Sequence, residues 1–219
     1  MWQNEAGRLS WVTTAVLRVR RVFPVLYDFV MQTVERGRLA EWRRTIVEPA
    51  TGNVLEIAAG TGLNFPYYLA GVVIATEPDL RMLARACVRA QCADATVLLV
   101  AADAQALPFR DSAFDTVVVG LALCTIPAPA RALAELHRVL RPGGIARLLE
   151  HVRVDRPVIG RLQDLLTPVW SRLAGGCRLN ERSVDHVRHA GFVTTDVQSH
   201  LGGYVVTIEA TRAGESGRL

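Results

Sequence analysis

The sequence predicts an α/β protein: a doubly wound, mostly parallel seven-stranded sheet with helices on both faces and an N-terminal helical extension. Three observations carry this. Short apolar runs alternate with amphipathic helical stretches from residue 54 onward. Those runs are continuously apolar, as strands buried on both faces must be. A strand, a glycine turn and a helix start follow one another in Val54-Leu55-Glu56-Ile57-Ala58-Ala59-Gly60-Thr61-Gly62-Leu63-Asn64.

The predicted strands are 54–58, 72–76, 97–100, 116–119, 145–149, one opening at Gly191-Phe192-Val193, and a closing strand over 204–210. Helices are expected at 65–69, 79–91, 129–140 and 183–190. Leu80, Leu83, Ala84, Cys87 and Val88 share one face of the second, and Arg141-Pro142-Gly143-Gly144 stops the third. Trp170 and Gly175-Gly176-Cys177 suggest a helix and loop over the C-terminal edge of the sheet. This gives an extension at 1–48, a main domain at 49–212 and a disordered tail at 213–219. In the extension, Leu9, Val12, Val16, Val19, Phe23, Leu26 and Val30 form an apolar stripe that Pro24 interrupts, and a helix over 31–47 follows. The stripe reads either as lid helices or as a basic amphipathic segment resting on a membrane surface.

Composition excludes several chemistries. All 25 basic residues are Arg, so lysine mechanisms and a lysine-bearing phosphate loop are ruled out. The net charge of +4 is scattered, and no nucleic-acid surface is expected. Cys87, Cys92, Cys124 and Cys177 form no C-x-x-C pair and have no His at zinc-ligand spacing, so no metal is expected. No apolar run reaches the roughly 18–20 residues that span a bilayer. With no clean signal peptide, a cytoplasmic location, peripheral to the membrane if the N-terminal stripe binds it, is the expectation.

Acids stand where strands end: Glu56, Glu77 and, just past strand three, Asp103. A dinucleotide would want a third glycine where Phe65 stands, and a pyrophosphate would be repelled by three carboxylates. A sulfonium amino-acid nucleoside suits them. Glu77 can accept from both ribose hydroxyls, Asp103 from an adenine amine, and Glu56 from the ammonium.

The segments V-L-E-I-A-A-G-T-G-L-N, A-T-E-P-D, A-A-D-A-Q-A-L-P-F, D-S-A-F-D-T-V-V-V and L-x-R-V-L-R-P-G-G, in this order across about residues 50–150, resemble the class I S-adenosylmethionine-dependent methyltransferases. The resemblance implies a Rossmann-like fold and methyl transfer from S-adenosylmethionine, leaving S-adenosylhomocysteine. It implies cofactor contacts at Glu56, Ala58, Gly60, Gly62, Asn64, Glu77, Pro78, Asp103, Ala104 and Leu121. Ala58 departs from the family, whose loop most often has its first Gly there.

From Leu121 to Phe192, G-L-A-L-C-T-I, R-V-L-R-P-G-G, E-H-V, Trp170 and Gly-Gly-Cys-Arg-Leu resemble methyltransferase-like proteins that methylate alkyl thiols at membranes. Tyr27-Asp28 is similar to a feature of bacterial phospholipid and quinone methyltransferases. The acceptor implied is a small hydrophobic molecule, first a thiol. A lipid, quinone or phenol is the alternative, and a non-catalytic cofactor-binding module a third reading.

His151, after strand five and beside Glu150, is the candidate base; equally it is a structural His. Cys124 either lines the methyl pocket or is a reactive thiol, and Cys177 belongs to a candidate mobile lid at the substrate. Tyr27 either closes over the sulfonium or is a core aromatic. Trp170, Tyr204, His137, His186, His189 and His200 read as packing or surface residues.

Overall fold

A computed structural model describes residues 35–69 and 71–214 of the chain. The stripe of the extension, Tyr27 and residues 215–219 therefore lie outside the described residues. The chain divides into two compact units, 1–40 and 41–219. An irregular π-type turn at Glu35–Leu39, with Gly37 in a non-helical conformation, precedes helix α1 (Ala40–Val47). Of the helix expected over 31–47, the described part is irregular at Glu35–Leu39 and regular over Ala40–Val47.

The sheet has seven strands: β1 (Val54–Ile57), β2 (Val72–Thr76), β3 (Thr96–Val100), β4 (Phe114–Gly120), β5 (Leu140–His151), β6 (Phe192–His200) and β7 (Val205–Arg212). Their order is β3-β2-β1-β4-β5-β7-β6. The first five strands of the chain pair in parallel, and β7 runs antiparallel between β5 and β6. Strand order reverses between β1 and β4. Right-handed crossovers then put the connecting helices on opposite faces of the sheet. Ligands of such sheets bind outside the carboxyl ends of the strands at that reversal.

The helices of the main unit are α2 (Leu80–Ala90), α3 (Pro129–Val139), α4 (Pro157–Leu173) and α5 (Ser183–His189). Asp79 caps α2 by accepting from the Arg81 amide at 2.8 Å. Pro129 opens α3 where its missing N–H costs nothing. The core is aliphatic: Leu55, Ile57, Val117, Val119 and Leu148 are buried from the sheet, with Leu133 and Leu136 from α3.

Two local expectations differ. Residues 65–69 form only a 3₁₀ turn, Phe65–Tyr67, because Pro66 opens it and Tyr68 is already extended. β5 begins at Leu140 rather than 145, since Leu140 pairs with Phe114 before the glycines bulge out and pairing resumes at Thr116 with Ile145.

Candidate active site

β1 is buried along its whole length and ends in a tight turn. Ala58, Gly60 and Gly62 all have left-handed backbones, with φ of 48°, 60° and 82°. Gly62 is required twice over, since a Cβ there would stand 2.5 Å from the Phe65 ring. Gly60 faces open space, with nothing within 4 Å of a Cβ, so a ligand can approach the backbone closely. Ala58 takes the glycine-like conformation despite its methyl group.

The acids hold this loop. Glu77 accepts from the Gly60 amide at 2.9 Å and from the Asp79 amide at 3.0 Å. Glu56 lies beneath the loop, 1 % exposed, and accepts from Asn64 at 3.0 Å and Tyr68 at 2.8 Å. The Arg43 guanidinium donates to Asn64 at 2.8 Å. Burial pushes the Glu56 carboxyl up to about 7, against the opposing pull of Tyr68, Asn64 and Arg43. Burial also raises Glu77, while its two backbone donors oppose the shift. Expected at the ammonium of a ligand, Glu56 instead has both oxygens engaged inside the protein.

Asp103 and Pro78 are exposed past β3 and β2, and Ala104 is buried beside Asp103. Leu121, just past β4, is left-handed (φ 57°), its amide on the Leu149 carbonyl at 2.6 Å. A glycine turn open to approach, with Glu77 at the end of β2 and the exposed Asp103 past β3, fits S-adenosylmethionine.

The other half of the edge is built from residues far apart in sequence. Glu150, fully buried at the end of β5, accepts at 3.0 Å from both the Ala122 and Leu123 amides, fixing the loop after β4. Burial raises its carboxyl to about 7. Next in the chain, His151 Nε2 lies 2.8 Å from the Cys177 sulfur. The Trp170 indole donates to the same sulfur at 3.4 Å. Cys124, buried after β4, completes the group: its sulfur, that of Cys177 and the His151 nitrogen all lie within 4.8 Å of one another.

Cys177 is held by hydrogen bonding from Cys124, which lowers its thiol despite burial, and His151 adds to the lowering. Cys124 is raised in turn, first through the same hydrogen bond. Burial alone would lower His151; the Cys177 sulfur and the Glu150 and Glu181 carboxylates outweigh it and carry the imidazole upward. The arrangement is a half-buried Cys177–His151 pair with the buried Cys124 thiol beside it, in which each partner favours the charged form of the other.

The structure thus brings His151, Cys124 and Cys177 together and leaves Glu56, Glu77 and Asp103 at the ends of β1, β2 and β3. Cys87 and Cys92 are exposed on and just past α2. His137 meets Phe192 edge-on and His200 stacks on Trp42, both packing roles. Trp170, expected only to pack, contacts the cluster. Sequence reasoning passed over Arg178, whose amide reaches the Cys124 carbonyl at 2.9 Å while its guanidinium donates to Leu123, Ile126 and Glu181. The Gly-Gly-Cys-Arg run was the available signal.

α4 is inverted. Its inward anchor is polar: Gln163 binds the Val154 amide at 2.8 Å and the Val152 and Leu179 carbonyls at 3.1 and 2.9 Å. Val158, Leu162, Leu165, Leu166 and Val169, at helical spacing, are exposed, and the stripe ends at Trp170. Among the described residues no helix is long and apolar enough to cross a membrane. A cavity of about 450 Å³ beyond β5 is lined by Arg153, Asp155 and Arg182 together with Val152, Val154 and Val206, a mixed charged and apolar surround.

Comparison with known proteins agrees with this geometry. Residues 55–148 match the family model of a methyltransferase domain. The chain is 38% identical over 152 residues to the demethylmenaquinone methyltransferase of Renibacterium salmoninarum, covering 67% of this chain and 61% of that protein. It therefore spans about three-fifths of that relative. With the demethylmenaquinone methyltransferase of Paenarthrobacter aurescens it shares 32% identity, covering 85% of this chain and 67% of the relative. The human thiol S-methyltransferase TMT1A is 29% identical, covering 93% of this chain and 91% of its own. Among solved structures, a methyltransferase of Thermotoga maritima superposes with a TM-score of 0.63 at 23% identity, covering 87% of this chain and 98% of that one, a likeness of fold. Glycine turn, carboxylate edge, strand order and relatives together make this chain a member of the class I S-adenosylmethionine-dependent methyltransferases, an enzyme that methylates a small organic acceptor.

Proposed function

We propose that the acceptor is a small hydrophobic phenol or quinol, methylated at a membrane surface. The observation that carries the reading is the inverted helix α4, whose exposed apolar stripe ends at Trp170 against Cys177 and His151. An acceptor with an apolar tail would lie along that stripe with its polar head at the His–Cys pair. The demethylmenaquinone methyltransferases, the more identical relatives, favour this reading over a thiol, the first expectation from sequence. A thiol stands second, supported by the end-to-end likeness to the human thiol S-methyltransferase.

When bound, S-adenosylmethionine supplies an electrophilic methyl group, which an electron-rich ring carbon or a sulfur attacks in line as the methyl–sulfur bond breaks. The chain's own work is positioning. Glu77 and the glycine turn orient the donor, and Glu150 fixes the backbone of Ala122 and Leu123 between donor and acceptor. The His151–Cys177 pair meets the acceptor's O–H or S–H, and Trp170 excludes water from the Cys177 side.

The test is turnover of a short-chain demethylmenaquinol, a simple phenol and an alkyl thiol, followed as methyl product by mass, with and without anionic vesicles. The expected result is methylation of the quinol, reduced roughly 10²–10⁴-fold in His151→Ala with S-adenosylmethionine affinity unchanged. Turnover of the alkyl thiol alone moves the assignment to the second reading. Tight cofactor binding with no turnover of any acceptor favours a non-catalytic module. Vesicle binding is expected to fall in Leu165→Glu; an intact chain that ignores vesicles removes the membrane from the proposal.

A further inference from the structure

We propose that Cys124, Cys177 and His151 form a binding site for a soft divalent cation, zinc foremost, with one coordination position open toward the acceptor. The inference rests on reading this edge as the acceptor side. Its ligands come from the loop after β4, the end of β5 and the loop after α4. Without a short ligand pair, the cluster is invisible to spacing rules, and the sequence expectation was no metal.

The geometry is within reach of a tetrahedral ion. Zinc holds sulfur at about 2.3 Å and imidazole nitrogen at about 2.0–2.1 Å, which sets ligand atoms roughly 3.5–3.8 Å apart. The three atoms here all lie within 4.8 Å of one another. The His151–Cys177 pair, at 2.8 Å, has to open by roughly 0.7 Å or more to reach that spacing, within reach of a side-chain rotation.

Donor chemistry is selective as well. Two thiolates and an imidazole suit zinc and exclude the oxygen-seeking calcium and magnesium. Three protein ligands with a fourth position open are what a catalytic rather than a structural zinc keeps.

The scaffold is rigid before any ion arrives. Arg178 ties the Cys124 segment to the Cys177 segment through the Cys124, Leu123 and Ile126 carbonyls. Glu150, next in the chain to His151, has its Oε2 buried and without a hydrogen-bond partner.

At the open position the acceptor's oxygen or sulfur would bind as its anion, its proton passing to solvent water. His151 then serves as a ligand, and the acceptor's heteroatom is fixed for the transfer.

The experiment measures zinc per chain by elemental mass spectrometry on protein from zinc-supplemented cultures, and the spectrum of the cobalt-substituted protein. The expected result is one zinc per chain with the thiolate-to-cobalt bands of a tetrahedral site. Cys124→Ser, Cys177→Ser and His151→Ala should each lose the metal while still binding S-adenosylmethionine, which reports an intact fold. Cys87→Ser and Cys92→Ser should retain it. Zinc content no higher than in Cys177→Ser, or zinc kept by all three ligand variants, overturns the site. So does an intact mass two hydrogens short, marking a Cys124–Cys177 disulfide that takes up no metal. Zinc bound without turnover of any acceptor defeats the functional reading and leaves the site; full turnover by metal-free enzyme does the reverse.

Discussion

The two halves of the carboxyl edge solve the same problem by different means. On the cofactor side, polar groups are satisfied locally: Glu77 binds the amides of Gly60 and Asp79, and Glu56 binds Asn64 and Tyr68 eight and twelve residues away. On the acceptor side the groups come from distant segments, as His151 and Cys177 do, and α4 anchors inward through Gln163 while an apolar stripe stays exposed. The lesson is that the donor is recognised by backbone that a short motif can shape, and the acceptor by side chains that only the finished fold assembles.

The glycine turn gives the sharpest way to break this contrast. Gly62→Ala drives a methyl group into the Phe65 ring in a left-handed backbone, and should cost about 2–5 kcal/mol of stability. Gly60→Ala has open space around it and should cost only about 1–2 kcal/mol of stability. Its methyl group projects where the donor approaches, so cofactor binding should be lost while the fold remains. Denaturant melts and calorimetric titration of both variants separate the effects. Undiminished cofactor binding in Gly60→Ala would mean that Gly60 is not at the donor's surface.

Glu77→Ala is the next test. It removes a carboxylate from the loop and from the reach of the ribose, and should weaken S-adenosylmethionine roughly 10–100-fold, the worth of one or two charge-assisted hydrogen bonds. His151→Ala should leave that affinity alone. If both variants weaken it alike, the two halves of the edge are not separable.

What could be read from the sequence follows the same division. The seven strands and the glycine turn were legible because periodicity and turn chemistry are local. Glu77 was legible as a strand-end acid beside that turn, but its hold on the Gly60 and Asp79 amides was not. Glu56 was found as a residue, but its burial under Asn64 and Tyr68 was not, since a strand-end acid looks the same whether it faces ligand or core. The meeting of Cys124, His151 and Cys177 could not be read, because it depends on the packing of three segments joined by Arg178. Nor could the orientation of α4, whose apolar stripe reads as a core face until Gln163 is seen to occupy the inner side.

The smallest expected effect concerns Glu56 and tests whether it belongs to the loop's foundation. Its folded carboxyl sits near 7, above the 4.5 of an ordinary glutamate. Between those values the unfolded chain releases its proton first, so stability present below the lower value falls as pH rises toward the higher one and is level above it. The loss attributable to this one group is about 1–3 kcal/mol. Glu56→Gln mimics the protonated form, since its amide oxygen can still accept from Asn64 and its NH₂ can donate to the Tyr68 oxygen. Denaturant melts at pH 5 and pH 8 should therefore show a drop in the parent chain that is smaller in the variant. Identical drops in both would mean that Glu56 ionises freely in the folded state, as an acid facing the ligand would, and would return it to the ammonium of the donor.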